Sequence, residues 1–340
     1  MERVIGFDMG YGFIKVADGQ RNLRFPSVIG EAVGRQRGTF GIQKQAATSD
    51  DDLSVTIGDQ TYFVGDLAIR QSRVAHRGLS PQRAEGDDLK VLLLSALSMV
   101  CREPANEFYV VTGLPPGRMH HADQLAEQLR GRFAVTRHQG RRDVEYAIAL
   151  NTVEVVPQPL GTYWSQVLDE RGGVLEHSNL LSGRVGIVDI GFRTSDFATV
   201  IDGEYAPAFS RTVPVGMVNS YESLAQILSE RYGLERETYA LDNAMIEGAI
   251  NVNGRSENVA EIRDEALTQL ALKLMVEVRS TWQIAEYDAV LISGGGAHML
   301  GEIMAASVKQ CLLVDNPSTA NARGYYAWGM HRSFSGGGQG

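Results

Sequence analysis

Short apolar runs that end on aspartate or glycine alternate along the chain with stretches of helical period. "RVIGFD", "GFIKVAD" and "LRFPSVIG" predict three strands, with a turn at Asp18-Gly19 between the second and third. Residues 31–52 lack periodicity and carry glycine and charge, which predicts a mobile surface loop. "LSVTIGDQTYFVGD" alternates about Gly58-Asp59 as a hairpin does. A helix is expected from about Asp87, its candidate N-cap, to Cys101, followed by the buried strand "EFYVVTGLP". A helix over about Met119–Arg130, two strands up to Val156 and a helix after Pro159 complete the first half.

The second half opens on a strand over Ser182–Asp189 and a hairpin, "SDFATVIDGEYA". Helical segments are expected at about 216–231, 235–247 and 257–284. "DAVLISGGG" is a strand entering a glycine turn, helices cover His298–Lys309 and about Thr319–Arg332, and the tail "SFSGGGQG" is flexible by composition. Strands alternating with helices predict an α/β class. The halves also echo each other: "GFDMGYGFIKVADG" and "IVDIGFRTSDFATVIDG" share an apolar strand, Asp, an apolar residue, Gly, an aromatic residue, a second strand and an Asp-Gly turn. Such repetition predicts two related lobes, each presenting an Asp-Gly hairpin.

Length and charge narrow the partners. A chain of 340 residues is comfortable for two domains, and 44% apolar residues suffice for a sizeable core. The net charge of -9 repels nucleic acid and anionic membrane in bulk, so contact with DNA needs an adaptor or a local basic patch. The most basic stretch, Thr136–Asp143, is expected to be a solvated hairpin tip. Cys101 and Cys311 lie in apolar stretches and are expected to be buried and reduced in a cytoplasmic protein without a leader. The longest apolar run, Val91–Cys101, is too short to cross a bilayer and predicts a buried helix. The histidines show no metal-ligand spacing with the cysteines.

The chemistry sits in the glycine turns. Both Asp-Gly turns lead into another strand rather than a helix, and neither G-x-G-x-x-G nor G-K-[ST] is present. Gly10, Gly12 and Gly191 carry no Cβ, so backbone amides of the Gly10–Phe13 turn (with Tyr11) and the Gly191–Thr194 turn (with Phe192 and Arg193) can approach a phosphate closely. Two such hairpins would grip a polyphosphate from both sides. Asp8 and Asp189 would stand at the strand ends and hold Mg2+ through its waters, and the Lys15 ammonium would reach the β- and γ-phosphates. Gly294, Gly295 and Gly296, between a strand and a helix, fit a close adenosine or phosphate contact.

These motifs carry a resemblance. D-x-G-x-G-x-x-K (Asp8 to Lys15) is similar to the first phosphate loop of actin, and D-x-G-x-x-T-x-D (Asp189 to Asp196) resembles the second phosphate loop of the actin/heat-shock ATPase/sugar-kinase superfamily. "ISGGGA" resembles the adenosine motif of that superfamily. "FPS", "VTGLP", "VPQPLGTYW" and "DNPSTANARGYY" resemble prokaryotic actin-like proteins of the plasmid-segregating ParM/StbA type and their archaeal relatives, over about residues 1–332. The resemblance implies an actin-like fold of two duplicated, ribonuclease H-like α/β lobes flanking a nucleotide cleft. Lobe I would be residues 1–180 plus 318–332, with a variable subdomain at about 31–85; lobe II would be 181–317, with a helical subdomain at about 216–280; 333–340 would be the tail.

It also implies a function: binding of ATP or ADP with Mg2+, hydrolysis, and polymerisation with itself into filaments. A DNA-binding adaptor would link them to plasmid DNA, with no direct nucleic-acid or membrane contact. A scaffold or organelle-positioning filament, and a small-molecule kinase of the same superfamily, are the alternatives. The water-positioning residue implied is Gln158, where many relatives carry Glu; an amide orients water without acting as a strong base. Turnover is therefore expected on the order of a minute or slower. Gly216, opening a helix, is a further nucleotide contact by resemblance, whereas Phe192-Arg193 is bulkier than the small residues usual in relatives.

Overall fold

The computed structural model describes residues 2–32, 52–72, 75–77, 87–139, 142–235 and 241–335. The predicted loop at 31–52 and the tail lie largely outside the described residues. Two units emerge: Met1–Leu114, Arg118–Leu175 and Asn321–Gly340 form one, and Pro115–Gly117 with Glu176–Ala320 form the other.

In the first unit the chain runs β1 (Arg3–Met9), β2 (Phe13–Ala17), β3 (Asn22–Pro26) and β4 (Val28–Glu31). The hairpin β5 (Leu53–Ile57) and β6 (Gln60–Val64), helix α1 (Asp66–Gln71), β7 (Ala75–Arg77) and helix α2 (Asp87–Val100) follow. Then come β8 (Ala105–Leu114), α3 (Ala122–Leu129), β9 (Gly131–Gln139), β10 (Arg142–Pro157) and α4 (Leu160–Val167). All ten strands join one sheet in the order β3-β2-β1-β8-β10-β9-β5-β6-β4-β7. β1 is antiparallel to β2 and parallel to β8, and β8 is parallel to β10. From Val91 to Val100 every residue of α2 is buried, as a helix apolar on all sides requires. It belongs to a core that includes Ile5, Phe7, Ile14, Leu93, Leu97 and Val110.

Two expectations are corrected here. The predicted third strand is two strands, because Pro26 has no amide to continue the ladder and Ser27 bends away to bond the β1–β2 turn. The helix expected from Met119 starts later, after a 3-10 segment over Pro116–His121. The basic stretch is the β9–β10 hairpin, with Arg142 opposite Gln139; its tip lies outside the described residues.

The second unit runs β11 (Arg184–Ile190), β12 (Ser195–Ile201), β13 (Glu204–Tyr205), β14 (Arg211–Val213), α5 (Val218–Tyr232) and α6 (Asp242–Glu247). It continues through β15 (Ala249–Val252), β16 (Arg255–Asn258), α7 (Ala260–Thr281), β17 (Ala289–Ser293), α8 (Ala297–Ser307) and β18 (Cys311–Leu313). The final helix, α9 (Ala320–Ser335), belongs to the first unit from Asn321 onward. The main sheet has the order β13-β12-β11-β17-β18, with β12 antiparallel and β17 parallel to β11. Set beside β3-β2-β1-β8-β10, this is the same order with the same strand senses, so the sequence echo is a duplication of topology. The helix expected over 257–284 is shorter than its pattern, since a hairpin, β15–β16, turns at Asn253-Gly254, both at positive φ. β14 and β18, too short to carry a period of their own, were not expected.

Neither cysteine is in a disulfide; Cys101 is half-buried and Cys311 buried. Burial pushes the Cys101 thiol up to about 12 and that of Cys311 up to about 11. Among the described residues no helix is long and apolar enough to cross a membrane.

Candidate functional site

In the first unit the pairing register brings the acidic and basic residues of the first turn together. Asp8 on β1 stands opposite Lys15 on β2. Their side chains, 3% and 10% exposed, meet with Nζ 2.9 Å from Oδ2. The lysine expected to reach toward phosphates thus lies on the aspartate at the base of the turn. The other carboxylate oxygen, Oδ1, accepts a bond from Gln158 Nε2 at 3.3 Å. Asp8, Lys15 and Gln158, spread over 150 residues of sequence, therefore form one cluster, a buried ion pair with a half-buried amide beside it.

The turn between Asp8 and Lys15 is held from one side. The Ser27 amide donates to Gly12 O at 3.0 Å, and the Ser27 hydroxyl donates to Gly10 O. A trans peptide directs its N–H opposite to its C=O. Tying the carbonyls of Gly10 and Gly12 to Ser27 therefore turns the amides of Tyr11 and Phe13 to the other side. Sequence reasoning noted Phe25-Pro26-Ser27 without giving Ser27 a role; the signal was a serine directly after a strand-breaking proline.

The second unit repeats the plan with different anchors. Asp189, next to last in β11, is buried and pairs with Asp196 across the hairpin. The Gly191 amide donates to Thr194 O at 3.0 Å, closing the turn. Gly191 O accepts from the Met217 amide at 3.1 Å, and Phe192 O from the Val218 amide at 2.7 Å. The amides of Phe192 and Arg193 then face the opposite way. Ser195 Oγ donates to Val215 O at 2.8 Å, Asn219 Oδ1 accepts from the Gly216 amide at 3.1 Å, and Asp196 accepts from Thr212 Oγ1 at 2.6 Å. Gly216 thus sits in the segment that backs the turn. The Phe192 ring packs edge-on against Tyr221 of α5, centroids 5.4 Å apart.

The triple-glycine turn joins this cluster through Gly294. At φ +89° a side chain is strained, and a Cβ there would stand 2.3 Å from Asp189 Oδ1 and 2.5 Å from Ile190 O. Its amide donates to Pro317 O at 3.1 Å, and the Gly296 amide to Ile190 O at 2.9 Å. At Gly295 a Cβ would meet nothing within 4 Å, so this glycine borders open space. The turn, Asp189 and the Gly191–Thr194 hairpin are therefore one constellation in the second unit, as Asp8, Lys15 and Gln158 are in the first.

Among the described residues no group of three or more His, Cys, Asp or Glu side chains could cage a metal. The donor chemistry fits a hard cation that brings most of its own ligands: Asp8 and Asp189 are oxygen donors, and both Asp8 oxygens are already bonded.

Residues 6–161 match the family model of the N-terminal domain of actin-like proteins. Residues 187–306 match that of the C-terminal domain of the archaeal MreB-like actin homologue. No curated protein matches. Among solved structures, a ParM from a 15-stranded filament of Clostridium botulinum superposes with a TM-score of 0.83 at 24% identity, over 97% of this chain and 99% of that one. An archaeal actin homologue in complex with ADP gives 0.79 at 17% identity, over 97% and 99%. ParM of Bacillus thuringiensis with ATP gives 0.74 at 19%, over 98% and 100%.

Proposed function

Since the chain belongs to the actin-like proteins and has their fold, we propose that it binds ATP, hydrolyses it, and polymerises with itself into filaments. The filaments would work in the cytoplasm, segregating or positioning plasmid DNA through a DNA-binding adaptor. The observation that carries the nucleotide reading is the paired construction of the two Asp-Gly turns. In each, two carbonyls are tied back so that the following amides face away from the anchor. Amides held in that way supply donors for phosphate oxygens without reorganisation on binding. Gly294 to Gly296 would take the adenosine side, with Gly295 bordering the ligand.

Hydrolysis transfers the γ-phosphoryl group of ATP to water, giving ADP and inorganic phosphate. Gln158 is the residue for the water. Its Nε2 is engaged by Asp8, which leaves the amide oxygen to accept a bond from the attacking water. Lys15, held beside Asp8 by the buried ion pair, is close to the turn and contributes positive charge there. Mg2+ bound with the nucleotide would neutralise phosphate charge, and Asp8 and Asp189 would hold it through water. Without a strong base, turnover on the order of a minute or slower is expected.

The solved relatives lend support by what they contain: one is a filament and others carry ADP or ATP. The test is sedimentation of the purified protein with and without Mg2+-ATP, negative-stain imaging, and phosphate release on the same samples. Nucleotide-dependent filaments with slow release are expected. Absence of polymer in every nucleotide state, together with phosphorylation of a small-molecule acceptor, would replace this reading with a kinase.

A further inference from the structure

We infer that Tyr325 is a positioning residue for ATP hydrolysis: its phenol, reaching out of α9, holds the backbone of Gln158 in the place from which the Gln158 side chain orients water. The inference rests on the reading of Gln158 given above.

Tyr325 is fully buried and is among the largest side chains in the molecule to be so. Its hydroxyl donates to Gln158 O at 2.9 Å across 167 residues of sequence. A buried hydroxyl costs free energy unless it is bonded, and phenylalanine would fill nearly the same volume without that cost. The phenol is thus explained by what it bonds. Around it the backbone has been cleared. A Cβ on Gly113 would stand 2.0 Å from the Tyr325 hydroxyl oxygen and 2.8 Å from Gln158 Cα. One on Gly161 would stand 2.6 Å from Tyr325 Cε1. Glycine at both positions lets the ring and its hydroxyl pass between β8 and α4 to the end of β10.

The remaining bonds define what the phenol adds. The Gln158 amide donates to Leu114 O at 2.8 Å, and Gln158 O also accepts from the Gly161 amide at 3.2 Å, the longer of its two bonds. Thr162 Oγ1 donates to Asn321 Oδ1 at 2.8 Å, a buried bond that fixes α4 to the start of α9. Gln158 therefore sits at a joint between β10 and α4, and its carbonyl is clamped chiefly by a side chain from a third element. Only the side chain, with its 3.3 Å contact to Asp8, is left to adjust. Without the phenol the peptide can rotate about that joint. A displacement of about 1 Å at a positioning group costs on the order of 100-fold in the worst case.

The experiment is a double-mutant cycle on single-turnover phosphate release, with ATP affinity measured by a fluorescent ATP analogue. The proteins are wild type, Tyr325→Phe, Gln158→Ala and the double variant. Tyr325→Phe is expected to slow release about fivefold to tenfold, to leave nucleotide affinity within about twofold, and to have no further effect when Gln158 is already alanine. Gly113→Ala crowds both the hydroxyl and Gln158 Cα, so it should also slow release, and by a smaller factor when Tyr325 is already phenylalanine; an undiminished factor in that background counts against the phenol. Release at the wild-type rate in Tyr325→Phe, or equal slowing in both backgrounds, overturns the inference while leaving the water-orienting reading intact. Wild-type release in Gln158→Ala overturns the reading itself and the inference with it.

Discussion

The Lys15–Asp8 pair makes a quantitative prediction about stability that is separate from catalysis. The lysine and aspartate side chains are 10% and 3% exposed, so neither charge is served by bulk water. Lys15→Met keeps most of the side-chain volume but leaves the Asp8 carboxylate buried with a 3.3 Å amide contact from Gln158. Removing one partner of a buried ion pair costs about 3–5 kcal/mol, most of it the penalty of the charge left behind. Asp8→Asn should cost a similar amount by stranding the ammonium. The double variant, Asp8→Asn with Lys15→Met, removes both charges and should return to within about 1 kcal/mol of the wild type. The coupling between the two sites is then about 5 kcal/mol or more.

Trp164 and Trp328 stack in the first unit with ring centroids 4.3 Å apart, whereas Trp282 lies in the second unit. Urea unfolding in a Trp282→Phe background followed by fluorescence therefore reports the unit that carries the pair. Lys15→Met should lower the midpoint without changing the slope, and the double variant should recover it. Additive losses, or a cost below about 1 kcal/mol for Lys15→Met, would refute the argument that burial makes the pair interdependent. Recovered stability with no phosphate release would assign the pair to chemistry: two charges that folding does not need.

Three further outcomes follow from the same geometry. Gly294→Ala meets both left-handed strain, about 1–2 kcal/mol, and overpacking against Asp189 and Ile190, about 1–3 kcal/mol; loss of second-unit stability together with ATP affinity is expected in unfolding and nucleotide titrations. Ser27→Ala removes the hydroxyl bond to Gly10 O but keeps the amide bond to Gly12 O, so ATP affinity should fall about fivefold, the equivalent of one hydrogen bond near 1 kcal/mol. Because burial raises both thiols above their ordinary 9.0, the folded chain binds more protons than the unfolded one once pH exceeds that value. Stability should therefore decline above about pH 9, and alkylation of native protein at pH 8 followed by mass spectrometry should find both cysteines unmodified.

What could be read in the sequence was what is encoded locally. The β1–β2 and β11–β12 hairpins announce themselves through an apolar strand, an aspartate and a glycine turn within a dozen residues. α2 does so through its leucine-rich run from Val91 to Val100, which shows no strand-like alternation. β14 and β18 each have three residues and exist only because β12 and β17 offer them an edge. The β15–β16 hairpin was missed although Asn253-Gly254 is a strong turn signal, because β16, Arg255–Asn258, is polar throughout and shows no apolar alternation. The contributions of Ser27 and Tyr325 are set by partners 17 and 167 residues away, which no local pattern reveals. Lys15 was assigned by reach from its own strand. Its actual partner follows from the cross-strand register.

The bulk of the second turn has a physical reason that a comparison of motifs does not supply. The first turn is anchored by one residue, Ser27, released from its strand by Pro26. The second is anchored by the amides of Met217 and Val218, which open α5 and have no partner within the helix. The helix start and the turn satisfy each other, so the turn lies against α5, and a side chain at 192 meets that helix rather than the ligand side. Phe192 uses the position: its ring sits edge-on to Tyr221, an arrangement worth about 0.5–1.5 kcal/mol beyond simple burial. Phe192→Ala should accordingly loosen the turn. ATP affinity should fall about threefold to tenfold in nucleotide titration, following the lost contact energy. Tyr221→Ala should reproduce the effect from the other side of the contact. Tighter binding by Phe192→Ala would mean that the ring obstructs the nucleotide, and the account of the second anchor would then be wrong.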